Sequence, residues 1–209
     1  MRPAVAFVMV LLWFSTAARA GDVNVYVHTD DGHPVADAVV TIVPASEIGA
    51  AAKFSWPMKV VQHKLAFDPF VLIVPVGAQV AFPNFDSVSH HVFSFSPAKK
   101  FEIELYGRDE TRSVAFPTSG IVALGCNIHD NMSAFIYVTD HPFAAKTDAE
   151  GKATVTGVPA GTATADIWHP RSTAPGQRVA QSLVVSPGTT TLTRELELRA
   201  QRRVRHGSY

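Results

Sequence analysis

Apolar and polar residues alternate along most of the chain, with turn-forming residues at short intervals. Val23-Asn24-Val25-Tyr26-Val27 has the period of a half-buried strand, Asp30-Asp31-Gly32-His33-Pro34 supplies a turn, and Ala38 to Val43 resumes an apolar run. This pattern predicts a hairpin closed by Pro44. Residues 45–56 carry an Ala- and Gly-rich stretch without a period and read as a connector. A second series of short strands begins at Met58: Val60 to His63, Leu65 to Phe67, Phe70 to Val74, Gln79 to Phe82, Val92 to Phe95, Phe101 to Leu105, Arg112 to Phe116, Ile121 to Cys126 and Ser133 to Val138. After His141-Pro142 a third series follows, with Gly and Pro at its corners: Ala144 to Lys146, Ala153 to Val155, Ala163 to Trp168, Gln181 to Val185 and Thr191 to Leu198. No stretch sustains a helical period with caps, so the expected class is all-β, with a sandwich over the central series. Two strands in residues 21–45 cannot stand alone. The strands after residue 140 are their expected partners.

Composition narrows the function classes. The 209 residues carry 18 Lys+Arg against 18 Asp+Glu and are 47% hydrophobic, which excludes a polyelectrolyte and a nucleic-acid binder built on net charge. One run is lipid-like: after Met1-Arg2-Pro3, residues Ala4 to Phe14 are apolar and lead to Ala18-Arg19-Ala20. A basic start, a short apolar core and an A-x-A site predict a signal peptide over residues 1–20, cleaved after Ala20, and hence export to the periplasm. Arg2 and Arg19 leave with it, and Arg199, Arg202, Arg203 and Arg205 crowd an acid-free tail, so the body between is acidic. The plain reading of the tail, residues 200–209, is a frayed terminus; the sharper one is a contact with an anionic membrane surface or an acidic partner.

Candidate chemistry is concentrated in one loop. Gly125-Cys126-Asn127-Ile128-His129-Asp130-Asn131-Met132 holds the only cysteine of the chain together with an imidazole and a thioether, between two apolar strands. His90-His91 brings a second imidazole to the start of an upstream strand. Two imidazoles, a thiolate and a weak thioether make a trigonal-plus-axial set that suits copper in both oxidation states. A lone thiol in an oxidising compartment is otherwise a liability. His63, His141 and His169 are isolated, the acid pairs Asp30-Asp31 and Asp109-Glu110 lack a partner for acid–base work, and no Ser-His-Asp spacing, phosphate loop or zinc-protease motif occurs. The expectation is a binding or carrier protein, not an enzyme.

Phe82-x-Asn84-x-x-x-x-x-His90-x-Val92 and Cys126-x-x-His129-x-x-Met132 resemble the two ligand segments of the cupredoxins, with loop spacing similar to that of amicyanin. His90 to Ser96 and Gly125 to Asp130 look like exported bacterial cupredoxins of the methylamine-utilisation, plastocyanin-like type. The resemblance implies a Greek-key β-sandwich over residues 55–140, one type 1 copper ion on His90, Cys126, His129 and Met132, and one-electron exchange with a redox protein partner. A copper-holding or copper-delivery protein with the same ligands is the alternative. By the same resemblance Asn84 supports the ligand loop, His91 stands where relatives carry Asn, and Ile128 stands where they carry Pro. Ile128 therefore keeps an N–H that could reach the thiolate. Asp31-Gly32-x-Pro34-Val35, Asp148-x-x-Gly151 and Gly157-Val158-Pro159-Ala160-Gly161 look like a carboxypeptidase regulatory-like module. That resemblance implies an Ig-like or prealbumin-like sandwich built from residues 21–45 and 141–199, with the copper unit inserted.

Overall fold

Strand β1 (Ala20–His28) buries Val23, Val25 and Val27 and turns Asn24 to solvent, as its alternation demands. The computed structural model describes residues 19–46, 49 and 51–200; of the expected signal segment, residues 1–20, all but Arg19 and Ala20 lie outside the described residues, as does the tail from residue 201. Within them the chain is all-β, with sixteen strands and a single 3-10 turn at Pro175–Gln177. The others are β2 (Val39–Pro44), β3 (Val61–His63), β4 (Ala66–Asp68), β5 (Val71–Pro75), β6 (Ala78–Pro83), β7 (His90–Ser96), β8 (Lys99–Tyr106), β9 (Thr111–Phe116), β10 (Gly120–Cys126), β11 (Ser133–Thr139), β12 (Ala144–Lys146), β13 (Lys152–Pro159), β14 (Gly161–Trp168), β15 (Arg178–Val185) and β16 (Gly188–Glu195).

The expected hairpin of β1 and β2 does not form. β1 lies between β13, antiparallel, and β16, parallel, whereas β2 lies between β12 and β14 in another sheet. Burial explains the separation. Val39, Val40, Thr41 and Ile42 are all buried, so β2 needs cover on both faces. Val40 and Ile42 join Val23, Val25, Val27, Ala163, Ala165 and Ile167 in one core, while Val39 faces the opposite way. β1 supplies cover from the facing sheet and cannot also be β2's hydrogen-bonded neighbour. The long link between the strands is pinned by Thr147, whose hydroxyl accepts from the Ala38 N–H at 2.8 Å and donates to the Val35 carbonyl at 2.7 Å.

The central strands build a five-stranded sheet in the order β5-β11-β10-β7-β8, beside the pairs β6-β9 and β3-β4. Between these layers Val74, Val80, Phe82, Val92, Phe116, Val122, Leu124, Ala134 and Ile136 form a second core, and Cys126 and Met132 belong to it. A third cluster joins the two: Val71, Ile73 and Tyr137 on the outer face of β5 and β11 meet Val39, Ala144 and Trp168. Trp168 is fully buried there, its ring centroid 5.7 Å from those of Phe135 and Tyr137. Shared apolar cover of this kind makes the seam part of the folded core.

Next to Trp168, His169 is buried, its N–H donating to the Gln177 carbonyl and its Nδ1 accepting from the Arg171 N–H. Burial, helped by the Arg171 charge, pushes its pKa down to about 4. Between that value and the ordinary value near 6.5 the unfolded chain binds a proton that the folded chain refuses, so stability is full above pH 7 and lost as pH falls toward 4. The loss expected from this residue is about 3 kcal/mol. Urea titrations of the parent and of His169→Asn at about pH 7 and about pH 4.5 check it: the variant should lack most of the His169 part of the pH dependence.

Candidate metal centre

Asn84, immediately after β6, is fully buried, and it shapes the loop that delivers His90. Its amide donates to the carbonyls of Val88 at 2.9 Å and Tyr106 at 3.2 Å, and its Oδ1 accepts from the Asp86 N–H at 2.9 Å. This satisfies buried backbone groups that a loop would otherwise leave unpaired. It also turns Asp86 back toward the sandwich.

The Asp86 carboxylate then makes three bonds. It accepts from the N–H groups of Lys64 at 2.6 Å and Leu65 at 3.0 Å, and its Oδ2 lies 2.8 Å from His90 Nε2. Lys64 and Leu65 both take the left-handed conformation, φ 55° and 57°, which aims their amides at the carboxylate. Burial alone would raise the Asp86 pKa, but bonds from His90, Leu65 and Lys64 outweigh it and hold the group below the ordinary carboxylate value. The His90 ring is fully buried, so with Nε2 bonded to Asp86 its Nδ1 is left facing inward.

Cys126 ends β10, pairing with Val92 of β7, and its Sγ lies 3.8 Å from His90 Nδ1 and 3.7 Å from His129 Nδ1. The three donor atoms fall within 4.8 Å of one another. The intervening loop is tied down at both ends, the Asn127 N–H donating to the His91 carbonyl and the Met132 N–H to the His129 carbonyl. Met132 is buried in the same core as Cys126. Tyr106 closes the wall behind: burial raises its pKa to about 12, so it stays a phenol, donating to the Phe82 carbonyl and accepting from the Gln62 amide.

Of the residues singled out by sequence, His90, Cys126 and His129 are brought together, Met132 lies in the adjoining core, and Asn84 braces the loop. His91 points elsewhere: its Nε2 bonds Glu102 at 2.8 Å, and only its carbonyl touches the ligand loop. Ile128 is 48% exposed, and among the described residues the hydrogen-bond contacts of Cys126 Sγ are with His90 and His129, not with the Ile128 N–H. Asp86 was not anticipated. Its signal was present in the sequence: a carboxylate four residues before His90, two after an Asn able to form an Asx turn. Also unanticipated are the exposed apolar side chains Leu65, Phe85 and Val88, which together with Ile128 occupy the loops built around Asp86, His90 and His129.

The donor set fits a metal. With bonds of about 2.3 Å to sulfur and about 2.0 Å to nitrogen, a planar trigonal centre separates S from N by about 3.7 Å. Thiolate plus two imidazoles is a set that can hold a copper ion.

No family model matches the chain, and no curated protein does. Among solved structures it is similar to a purple cupredoxin from Nitrosopumilus maritimus, at 20% identity over 39% of this chain and 98% of that one, with a TM-score of 0.35. It is also similar to a copper-containing nitrite reductase from Thermus scotoductus, at 27% identity over 45% of this chain and 25% of that one, and to a point mutant of amicyanin in its reduced Cu(I) form, at 21% identity over 48% and 98%; both have a TM-score of 0.38.

Removing the carboxylate that orients His90 should loosen the ligand without removing it. Asp86→Ala is expected to lower copper affinity by about 10- to 100-fold, read by competition with a chelator, while far-ultraviolet circular dichroism stays that of the parent.

Proposed function

We propose that this chain is an exported type 1 copper protein that carries single electrons in the periplasm. The observation that supports it is the His90–Cys126–His129 triad, two of its donors buried and the third half-buried, whose S···N separations of 3.7 and 3.8 Å suit a trigonal ion. Copper held there supplies reversible one-electron exchange. The protein's part is to hold the donors still. Asp86 fixes the His90 ring, the end of β10 fixes Cys126, and the Met132 N–H fixes the backbone at His129, so little has to move when charge changes. Met132 serves as the weak fourth donor in this reading. Four protein donors leave no position open for a substrate, which favours a carrier over an enzyme.

His129 is half-buried beside exposed Ile128, and Phe85, Val88 and Leu65 add apolar surface on neighbouring loops. A small apolar patch suffices for a transient encounter with a redox protein. The chain is read as two units, a copper unit of residues 55–140 and a second sandwich of residues 21–45 and 141–199.

The visible spectrum tests the proposal. The oxidised, copper-loaded protein should show an intense thiolate-to-copper band that Cys126→Ser abolishes, and Met132→Leu should keep the band while changing the reduction potential. A colourless protein that binds only Cu(I) and exchanges it readily would instead make it a copper-holding or delivery protein.

A further inference from the structure

The five-stranded sheet covers its outer face on one side only. Over β5 and β11 the other sandwich seats Val39, Ala144 and Trp168 on Val71, Ile73 and Tyr137. Over β7, β8 and β10 that cover stops: His91, Phe93 and Phe95 alternate outward along β7, with ring centroids 6.2 and 5.1 Å apart, and exposure rises from buried His91 through half-buried Phe93 to Phe95 at 78%. Phe93 rests on Gly125, where an added Cβ would come within 2.8 Å of the ring, so the glycine is what seats it. Beyond the pair Gly125↔Phe93 the strands part, and the Ala123 N–H turns to the Ser96 hydroxyl at 2.9 Å. The gap is a shallow cavity of about 320 Å³ lined by Phe93, Phe95, Ser96, Ala123, Leu124 and Gly125.

We propose that this face pairs two copies of the chain about a two-fold axis. Charge decides the occupant. In the β7–β8 register Phe95 stands opposite Lys100, and Phe93 opposite Glu102. An axis in the plane of the face, perpendicular to the strands and passing between these two pairs, lays Phe93 over Phe95 of the second copy. The same axis lays Glu102 over Lys100 of the second copy, and each contact occurs twice. The exposed charges on this side of β8 are Lys100, Glu102 and Glu104, with Glu102 also bonded to His91, and a second copy laid this way meets an opposite charge at both central positions. Each copy would cover the other's most exposed ring and offer its own to the cavity beside Gly125. The face is only three strands wide, so the association is weak and concentration-dependent. None of it requires the electron-carrier reading.

Sedimentation velocity of the full copper-loaded chain, from about 10 µM to about 500 µM, tests the pairing in the range expected of a small interface. The parent should convert from monomer to dimer, and the metal-free chain should do the same. Phe95→Lys should weaken the dimer at least about tenfold. Lys100→Glu should weaken it too, and Lys100→Glu combined with Glu102→Lys should restore it. The far-ultraviolet circular dichroism of each variant, matched to the parent's, reports that the fold is intact. A parent that stays monomeric across the range overturns the proposal, as does a dimer indifferent to Phe95→Lys or one that the charge exchange fails to restore.

Discussion

A fully buried imidazole has no water to bond, so both of its nitrogens must be provided for, and the copper end of the molecule is organised around that requirement at His90. Asp86 provides for Nε2. To reach it, Asp86 must be folded inward by Asn84, and its own oxygens must be satisfied by a turn at Lys64 and Leu65. Three separate stretches of sequence are thereby locked to one ring, and its remaining nitrogen is delivered to Cys126. The metal set is rigid because a chain of hydrogen bonds stands behind it.

Much of this was legible in the sequence. Strand positions follow from the period-two burial of residues such as Val23, Val25 and Val27, and the loop from Cys126 to Met132 announces its chemistry by composition. Pairing was less legible, because alternation says which face is buried and not which neighbour a strand takes. β2 shows the limit: a run from Val39 to Val43 that is apolar except for Thr41 marks a strand covered on both sides, yet a nearby turn suggested a hairpin with β1. Asp86 was missed for a related reason. Its role depends on amides at Lys64 and Leu65, more than twenty residues away, and backbone donors leave no trace in side-chain identity.

The outer face of the five-stranded sheet shows how one surface can carry two fates. Its β5–β11 half packs against Trp168, Val39 and Ala144, while its β7–β10 half keeps Phe93 and Phe95 at the surface next to small residues. Gly125 sits where these interests meet. It precedes the thiol donor in β10, and its missing side chain lets an aromatic ring rest on the backbone beside that donor.

β1 lies parallel to β16, Gly21 level with Gly188 and His28 level with Glu195, so nearly the whole chain separates two adjacent strands. That sheet cannot close until the last strand has been made and delivered, and its loop-closure cost is among the largest the chain could incur. The strands of the copper sheet, β5 to β11, find all their partners within residues 71–139. The order of assembly is thus written into the connectivity: the metal-binding sheet can form while the chain is still emerging, and the sandwich around its ends closes last.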